Sequence, residues 1–185
     1  MDDPPRRIHI VGVSGTGKST LARQVADILD LPQLELDEVF WDADWTFRDL
    51  DDARAIVRTF LADNPTGWVI DGVWTRRLDG LLDTHTPDGP DVVVWPDHAR
   101  RTVMFRVTRR TVLRGVRREV IWHGNRENPR DWFRRDPDKN IIRWAWVMYP
   151  ETRDRMQARI DAGEPVLRLA GQRAVDDWLR SLKQR

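Results

Sequence analysis

Short apolar runs alternate along this chain with stretches in which apolar residues recur every three or four positions. Ile8-His9-Ile10-Val11 is the first run and reads as a buried strand ending at Gly12. From Lys18 to Asp30, Leu21, Val25, Ile28 and Leu29 fall at helical spacing, and Leu31-Pro32 stops the helix. Gln33 to Leu36 reads as a second short strand that ends at Asp37. Asp49 to Ala62 predicts a helix with Ala53, Ile56, Val57, Phe60 and Leu61 on one face. A turn at Asn64-Pro65-Thr66-Gly67 leads into a third strand, Trp68-Val69-Ile70, which ends at Asp71-Gly72. Leu78 to Leu82 predicts a short helix, and Thr86 to Pro90 a loop. Asp91 to Trp95 is a fourth strand, bounded by Pro96. Ala99 to about Glu119 reads as a long helix with Val103, Val107 and Val112 at core-like spacing. Trp122 to Lys139 has no clean period. Beyond it lie a helix from Ile141 to about Ile160, a fifth strand from Pro165 to Leu169 and a last helix from Ala174 to Leu182.

Strands alternating with helices predict an α/β fold: a parallel sheet in the middle of three layers, covered on both faces, with right-handed crossovers. Such sheets bind ligands at the carboxyl ends of their strands. Gly12, Asp37 and Asp71 all fall at that edge. A length of 185 residues, with no internal repeat or break in composition, predicts a single domain over 1–185.

Composition narrows the function classes. With 40% hydrophobic and 33% charged residues the chain reads as globular. It has no run of about 18 apolar residues, so no membrane span is expected. The first residues lack the basic start and apolar core of a signal peptide, and cysteine is absent. Disulfides and thiolate chemistry are thereby excluded, and a cytoplasmic protein, monomer or homodimer, is the expectation. The net charge of +1 hides an uneven distribution, because arginines crowd between Arg100 and Arg135 while the only lysines are Lys18, Lys139 and Lys183. A cationic stretch of that kind suits a polyanionic ligand, either nucleotide phosphates or nucleic acid.

One motif carries specific chemistry. Gly12-Val13-Ser14-Gly15-Thr16-Gly17-Lys18-Ser19, followed by Thr20, matches the P-loop pattern G-x-x-x-x-G-K-[ST] between a strand and a helix. The glycines let successive N–H groups turn inward as an anion nest, and the helix adds its positive end. Lys18 would reach the β- and γ-phosphates of ATP, and Ser19 would ligate Mg2+.

The chain resembles small P-loop kinases related to adenylate kinase, and more closely the bacterial proteins described as adenylate-kinase-like or DNA topology modulation proteins. Ile8 to Gly12 leading into Gly15 to Ala22 carries the likeness first. Leu36-Asp37 with Phe40-Trp41 and Trp45 extends it, as do Trp68 to Gly72 and the basic helix leading to Trp122 and Asn125-Arg126-Glu127. The likeness covers nearly the whole chain and implies five parallel strands in order 2-3-1-4-5, with an arginine-rich helical lid at about 115–140. It implies transfer of the ATP γ-phosphate to a small-molecule acceptor. It also places Arg76 or Arg77 on the acceptor phosphate, Arg106, Arg109, Arg110 and Arg114 on the lid side, and Gly171-Gln172-Arg173 in the loop that passes the adenine. True adenylate kinases carry a different acceptor segment where this chain has Leu34 to Trp41, so the acceptor (nucleotide, nucleoside or other small molecule) does not carry over.

The remaining candidates have more than one reading. Asp37 resembles the aspartate that shikimate-kinase-like enzymes use to organise magnesium and orient the acceptor hydroxyl; otherwise it is a solvated rim residue. Asp71 suits a water-mediated magnesium partner, and otherwise a turn residue before Gly72. Trp41, Trp45 and Trp74 could stack on a base or sugar or simply pack. The arginine-rich stretch reads as a lid over the triphosphate, as a nucleic-acid surface with Trp122, Trp132 and Phe133 as stacking platforms, or as a solvated helix face. The second of these gives the alternative function, a nucleotide-regulated nucleic-acid-binding protein. No histidine pair has zinc-ligand spacing, and no G-x-S-x-G elbow occurs.

Overall fold

Every strand of the sheet is short. The computed structural model, which describes residues 4–184, contains β1 (Arg7–Ile10), β2 (Gln33–Glu35), β3 (Trp68–Asp71), β4 (Val92–Asp97) and β5 (Val166–Ala170). They pair in parallel in the order β2-β3-β1-β4-β5. Alternate side chains leave opposite faces. Ile8, Ile10, Val69 and Val94 point to one face, where α1 (Lys18–Leu29) covers them with α6 (Gly171–Lys183). Trp68 and Ile70 point to the other, against α2 (Leu36–Phe40) and α3 (Leu50–Asp63). Val93 and Trp95 join Val11 beneath Met156 of α5 (Ile141–Asp161). Filling both faces with aliphatic side chains, at about 25 cal/mol per Å² removed from water, is what holds the layers together.

The register decides where chemistry can gather. Ile10 lies opposite both Asp71 and Val94, and Glu35 lies opposite Asp71. The ends of β1, β2 and β3 therefore lie level at one edge. β4 runs three residues past its last pairing with β1, through Trp95 and Pro96 to Asp97. The Val94 carbonyl accepts from Val11 on the β1 side. Pro96, two positions on, presents its ring nitrogen to that same side, where β1 has already ended, so proline does not terminate the strand as its position predicts.

Two expected elements differ. β2 stops at Glu35, and Asp37 lies in the first turn of α2, a five-residue helix too short to show a period. The helix expected over Leu78–Leu82 is absent; a 3₁₀ turn at Trp74–Arg77 is followed by further turns. Leu78 and Leu82 are buried all the same, and their spacing reflects the core rather than a helix. α4 (Arg100–Arg117) is followed by residues 118–140, which contain 3₁₀ turns at Trp122–Gly124, Pro129–Phe133 and Pro137–Lys139 in place of a regular helix. Trp132 packs against α4 at Gly115, where a Cβ would strike its ring. Among the described residues no helix is long and apolar enough to cross a membrane.

Candidate active site

Between Ile10 and Lys18 the chain turns tightly at the carboxyl edge of the sheet. The Thr16 N–H and hydroxyl both donate to the Val13 carbonyl, at 3.2 and 2.9 Å. Gly12 makes room for this, since a Cβ there would lie 2.5 Å from Thr16 Oγ1. Gly15 has φ +93°, and a Cβ on it would meet the Val103 carbonyl of α4 at 2.6 Å. Glycine alone permits both the left-handed backbone and the seat against α4. Ser14 is buried and accepts a hydrogen bond from Arg110. Gly17 and Thr20 face outward at the start of α1.

Lys18 and Ser19 turn toward three carboxylates. Lys18 Nζ lies 3.1 Å from Asp37 Oδ2, and the indole N–H of Trp74 donates to Asp37 Oδ1 at 2.7 Å. Ser19 Oγ lies 2.6 Å from Asp71 Oδ2 and 3.0 Å from Glu35 Oε1. Gln33 Nε2 donates to Asp71 Oδ1 at 3.3 Å. Burial opposes the charge on Lys18, but Asp37 and Asp71 outweigh it and hold the lysine pKa above its ordinary value. Burial likewise opposes the charge on Asp37, and there Lys18 and the Trp74 bond win, holding its pKa low. Asp71 behaves differently. Burial pushes its pKa up to about 6, against Lys18 and Ser19, with Glu35 and Asp37 adding to the rise. The cluster therefore carries more negative charge than its lysine satisfies.

The arginines of α4 divide by face. Arg106, Arg110 and Arg114 recur every four residues on the side of the β1–α1 turn. Arg106 lies near Gly17 and donates to Gln172 at 2.8 Å. The mostly buried Arg110 meets Ser14, and Arg114 pairs with Glu119 at 3.4 Å. Glu127 faces Arg110 and Arg114, and burial raises its pKa. Arg109 is exposed on the outer face among Met104, Phe105, Thr108, Val112 and Leu113. The geometry thus separates Arg109 from the site, because one residue of helix turns a side chain by about 100° away from Arg110.

Other candidates scatter around this centre. Trp41 stacks on Phe47 and meets Trp45 and Trp74 edge to face. Arg77 lies over Phe47 and Trp74, 5.0 and 5.5 Å from their ring centres. Arg76 is turned away, mostly exposed, 3.5 Å from Glu151 of α5. Gly72 follows Asp71 and is clamped, its N–H donating to Ile10 and its carbonyl 3.1 Å from His9 Nε2. Gly171-Gln172-Arg173 is not a loop but the first turn of α6, because β5 passes into the helix directly. Arg173 is exposed beside Asp177. Trp122 faces Glu35 at 3.3 Å and Trp132 faces Gly115; the side chain of Phe133 lies outside the described residues. Glu35 is the one central residue that pattern reading passed over. Its signal was the alternation Leu34-Glu35-Leu36-Asp37, with two acids at strand spacing.

Structures solved for other proteins share this architecture. A protein of Chloroflexus aurantiacus J-10-fl, provisionally assigned as a kinase, superposes over 98% of both chains with a TM-score of 0.54 and 16% identity. The likeness is one of fold, a five-stranded parallel sheet in the order β2-β3-β1-β4-β5 with helices on both faces. A shikimate kinase from Bacteroides thetaiotaomicron superposes over 98% of both chains with a TM-score of 0.53 and 12% identity. No protein-family model and no curated protein matches the chain in sequence. Open parallel α/β sheets bind ligands at the carboxyl edge of their strands, and Lys18, Ser19, Glu35, Asp37 and Asp71 all stand at that edge.

Proposed function

We propose that this chain is a magnesium-dependent phosphotransferase that moves the γ-phosphate of ATP to a small-molecule acceptor. The observation that carries the reading is the pairing of Lys18 with Asp37 and of Ser19 with Asp71 at one strand edge, directly after a G-x-x-x-x-G-K-S turn. Gly12 to Thr20 would cradle the phosphates, with Lys18 leaving Asp37 for the β- and γ-phosphates. The adenylate-kinase-related reading adds the base side: the Arg106–Gln172 bond draws the start of α6, with Gly171 and Arg173, toward Gly17.

The residues present fit Mg2+. Ser19, Asp71 and Asp37 offer only hard oxygen donors, and with Glu35 beside them three carboxylates face the single cation of Lys18. Among the described residues no cluster of three or more ligating side chains forms a complete cage. When bound, the ion neutralises charge on the transferring phosphoryl group.

Phosphoryl transfer asks the protein mainly for position and charge. Asp37, flanked by Trp74, would accept the acceptor's hydroxyl proton as the new P–O bond forms. Arg110 and Arg114, on the lid formed by the end of α4 and residues 118–140, would stabilise charge on the departing ADP. Trp41, Trp45, Trp74, Asp71, Gly72 and Arg77 would border the acceptor, whereas Arg109 and Arg76 are turned elsewhere. The nucleic-acid alternative gains nothing here, since Trp122 and Trp132 are engaged within the protein.

Coupled detection of ADP across nucleoside monophosphates, nucleosides, sugars and other small alcohols tests the reading. Acceptor-dependent release from one class is expected. Its absence from every class would defeat the proposal.

A further inference from the structure

Ser19 has one hydroxyl hydrogen and two carboxylates within reach, Asp71 at 2.6 Å and Glu35 at 3.0 Å. The other oxygen of Glu35 is taken by a residue nearly ninety positions away, the indole N–H of Trp122 at 3.3 Å. Trp122 is itself held by a clasp between residues 41–48 and 121–126. Its ring meets Trp45 edge to face. The Trp45 backbone N–H donates to Asn125 Oδ1 at 2.9 Å, and its indole N–H to the Arg126 carbonyl at 3.0 Å. Buried Asn125 returns a bond to the Asp42 carbonyl at 2.8 Å, and His123 lies 3.0 Å from the Glu38 carbonyl. A chain of contacts thus runs from the clasp through Trp122 and Glu35 to the hydroxyl of the phosphate-binding turn.

We propose that Trp122 is a positioning residue for the metal site: its N–H fixes the Glu35 carboxylate that shares the Ser19 hydroxyl with Asp71, so that closing 121–126 onto 41–48 sets the affinity for magnesium. The inference rests on the kinase reading, from which the magnesium site is taken. An unanchored Glu35 could swing from Ser19 and leave the hydroxyl to Asp71 alone. An anchored one keeps Ser19 between two carboxylates, oriented before any ion arrives. Closure of the lid and loading of the metal are then one coupled event, and each favours the other.

The test is calorimetric titration of Mg2+ into the full chain saturated with a non-hydrolysable ATP analogue. Trp122→Phe removes the N–H and keeps an aromatic ring against Trp45. It should raise the magnesium Kd roughly tenfold, as expected for loss of one hydrogen bond to a charged group. Affinity for the metal-free nucleotide should stay as in the parent, and the melting temperature should fall only by the few degrees that one hydrogen bond is worth. Glu35→Gln should raise the Kd as well, and Trp122→Phe should add nothing to it. A merely structural Trp122 would lower the melting temperature further and weaken metal-free nucleotide equally. Should Trp122→Phe fail to fold, Asn125→Ala, which opens the clasp, must raise the Kd in the parent and leave it unmoved beside Glu35→Gln. A Kd unchanged by Trp122→Phe, or effects that add independently, would overturn the coupling alone. A parent protein that binds no magnesium nucleotide would overturn the kinase reading and the coupling with it.

Discussion

The β1–α1 turn and the clasp border the same carboxylates from opposite sides. The turn takes its residues from one unbroken stretch, with Gly12, Val13, Ser14, Thr16 and Lys18 buried. The clasp joins stretches about eighty residues apart, and of its side chains only Asn125 is fully buried, with Trp45 and His123 exposed. The turn is held close, with Thr16 bonded back to Val13 and with Gly12 and Gly15 seated where an added Cβ would collide. The clasp is held by hydrogen bonds that water can replace, each worth about 1 kcal/mol net. On the phosphotransferase proposal the first acts as a receptor and the second as a closure, the low-stability kind of element from which moving parts are drawn.

Substitutions separate the two, and the largest effect belongs to the turn. Lys18→Ala should abolish detectable nucleotide binding by calorimetry. It should also cost on the order of 3 kcal/mol of stability in urea unfolding, because Asp37 is left without its cation. Retained nucleotide affinity would end the distinction between receptor and closure.

Asp71 gives the next effect and is a test of pH. Its pKa is about 6 in the folded chain, against an ordinary 3.8. The folded state therefore holds the proton more tightly than the unfolded state, and stability falls as pH rises from about 4 to 6. Asp71→Asn should stabilise the ligand-free protein at pH 7 by up to about 3 kcal/mol, a gain that vanishes near pH 4. Turnover should meanwhile fall. Urea unfolding at both pH values, beside the ADP assay, checks the pair of signs.

The two faces of α4 come third. Arg110→Ala should slow turnover about a hundredfold, by loss of charge at the transferring phosphoryl group. Arg109→Ala, one position away, should stay within about twofold. Equal effects would mean that the helix does not present its faces as the contacts with Ser14 and the outer groove indicate. The smallest effect is in the clasp. Asn125→Ala should cost about 1–2 kcal/mol and speed amide exchange in 42–47 and 121–126, leaving exchange in the β1–α1 turn as it was.

How far these features could be read from the chain follows their range in sequence. The five strands announce themselves as short apolar runs, since the sheet is buried on both faces, and α1, α3, α4, α5 and α6 by the period of 3.6 that burial of one face imposes. α2 and the 3₁₀ turns do not, being shorter than the period that would reveal them. The resemblance to adenylate-kinase-related proteins groups Arg109 with Arg110, because a likeness carried by a basic helix does not resolve the angle at which each arginine leaves it. Placing α4 against Gly15 is what sorts them. Glu35 gains its meaning only when β2 pairs with β3 and sets it opposite Asp71, since the alternation it shares with Asp37 does not say which acid faces the centre.

The chain alone determined the G-x-x-x-x-G-K-S turn between β1 and α1, since the glycines and the lysine that mark it lie within eight consecutive residues. It also determined the layered α/β architecture, through its alternation of short apolar runs and helical spacing. Tertiary structure decided which acids share the Ser19 hydroxyl, which arginines face it, and that Trp122 reaches Glu35. Those are distances between residues tens of positions apart, and no local pattern encodes a distance that only the packing of strands and helices creates.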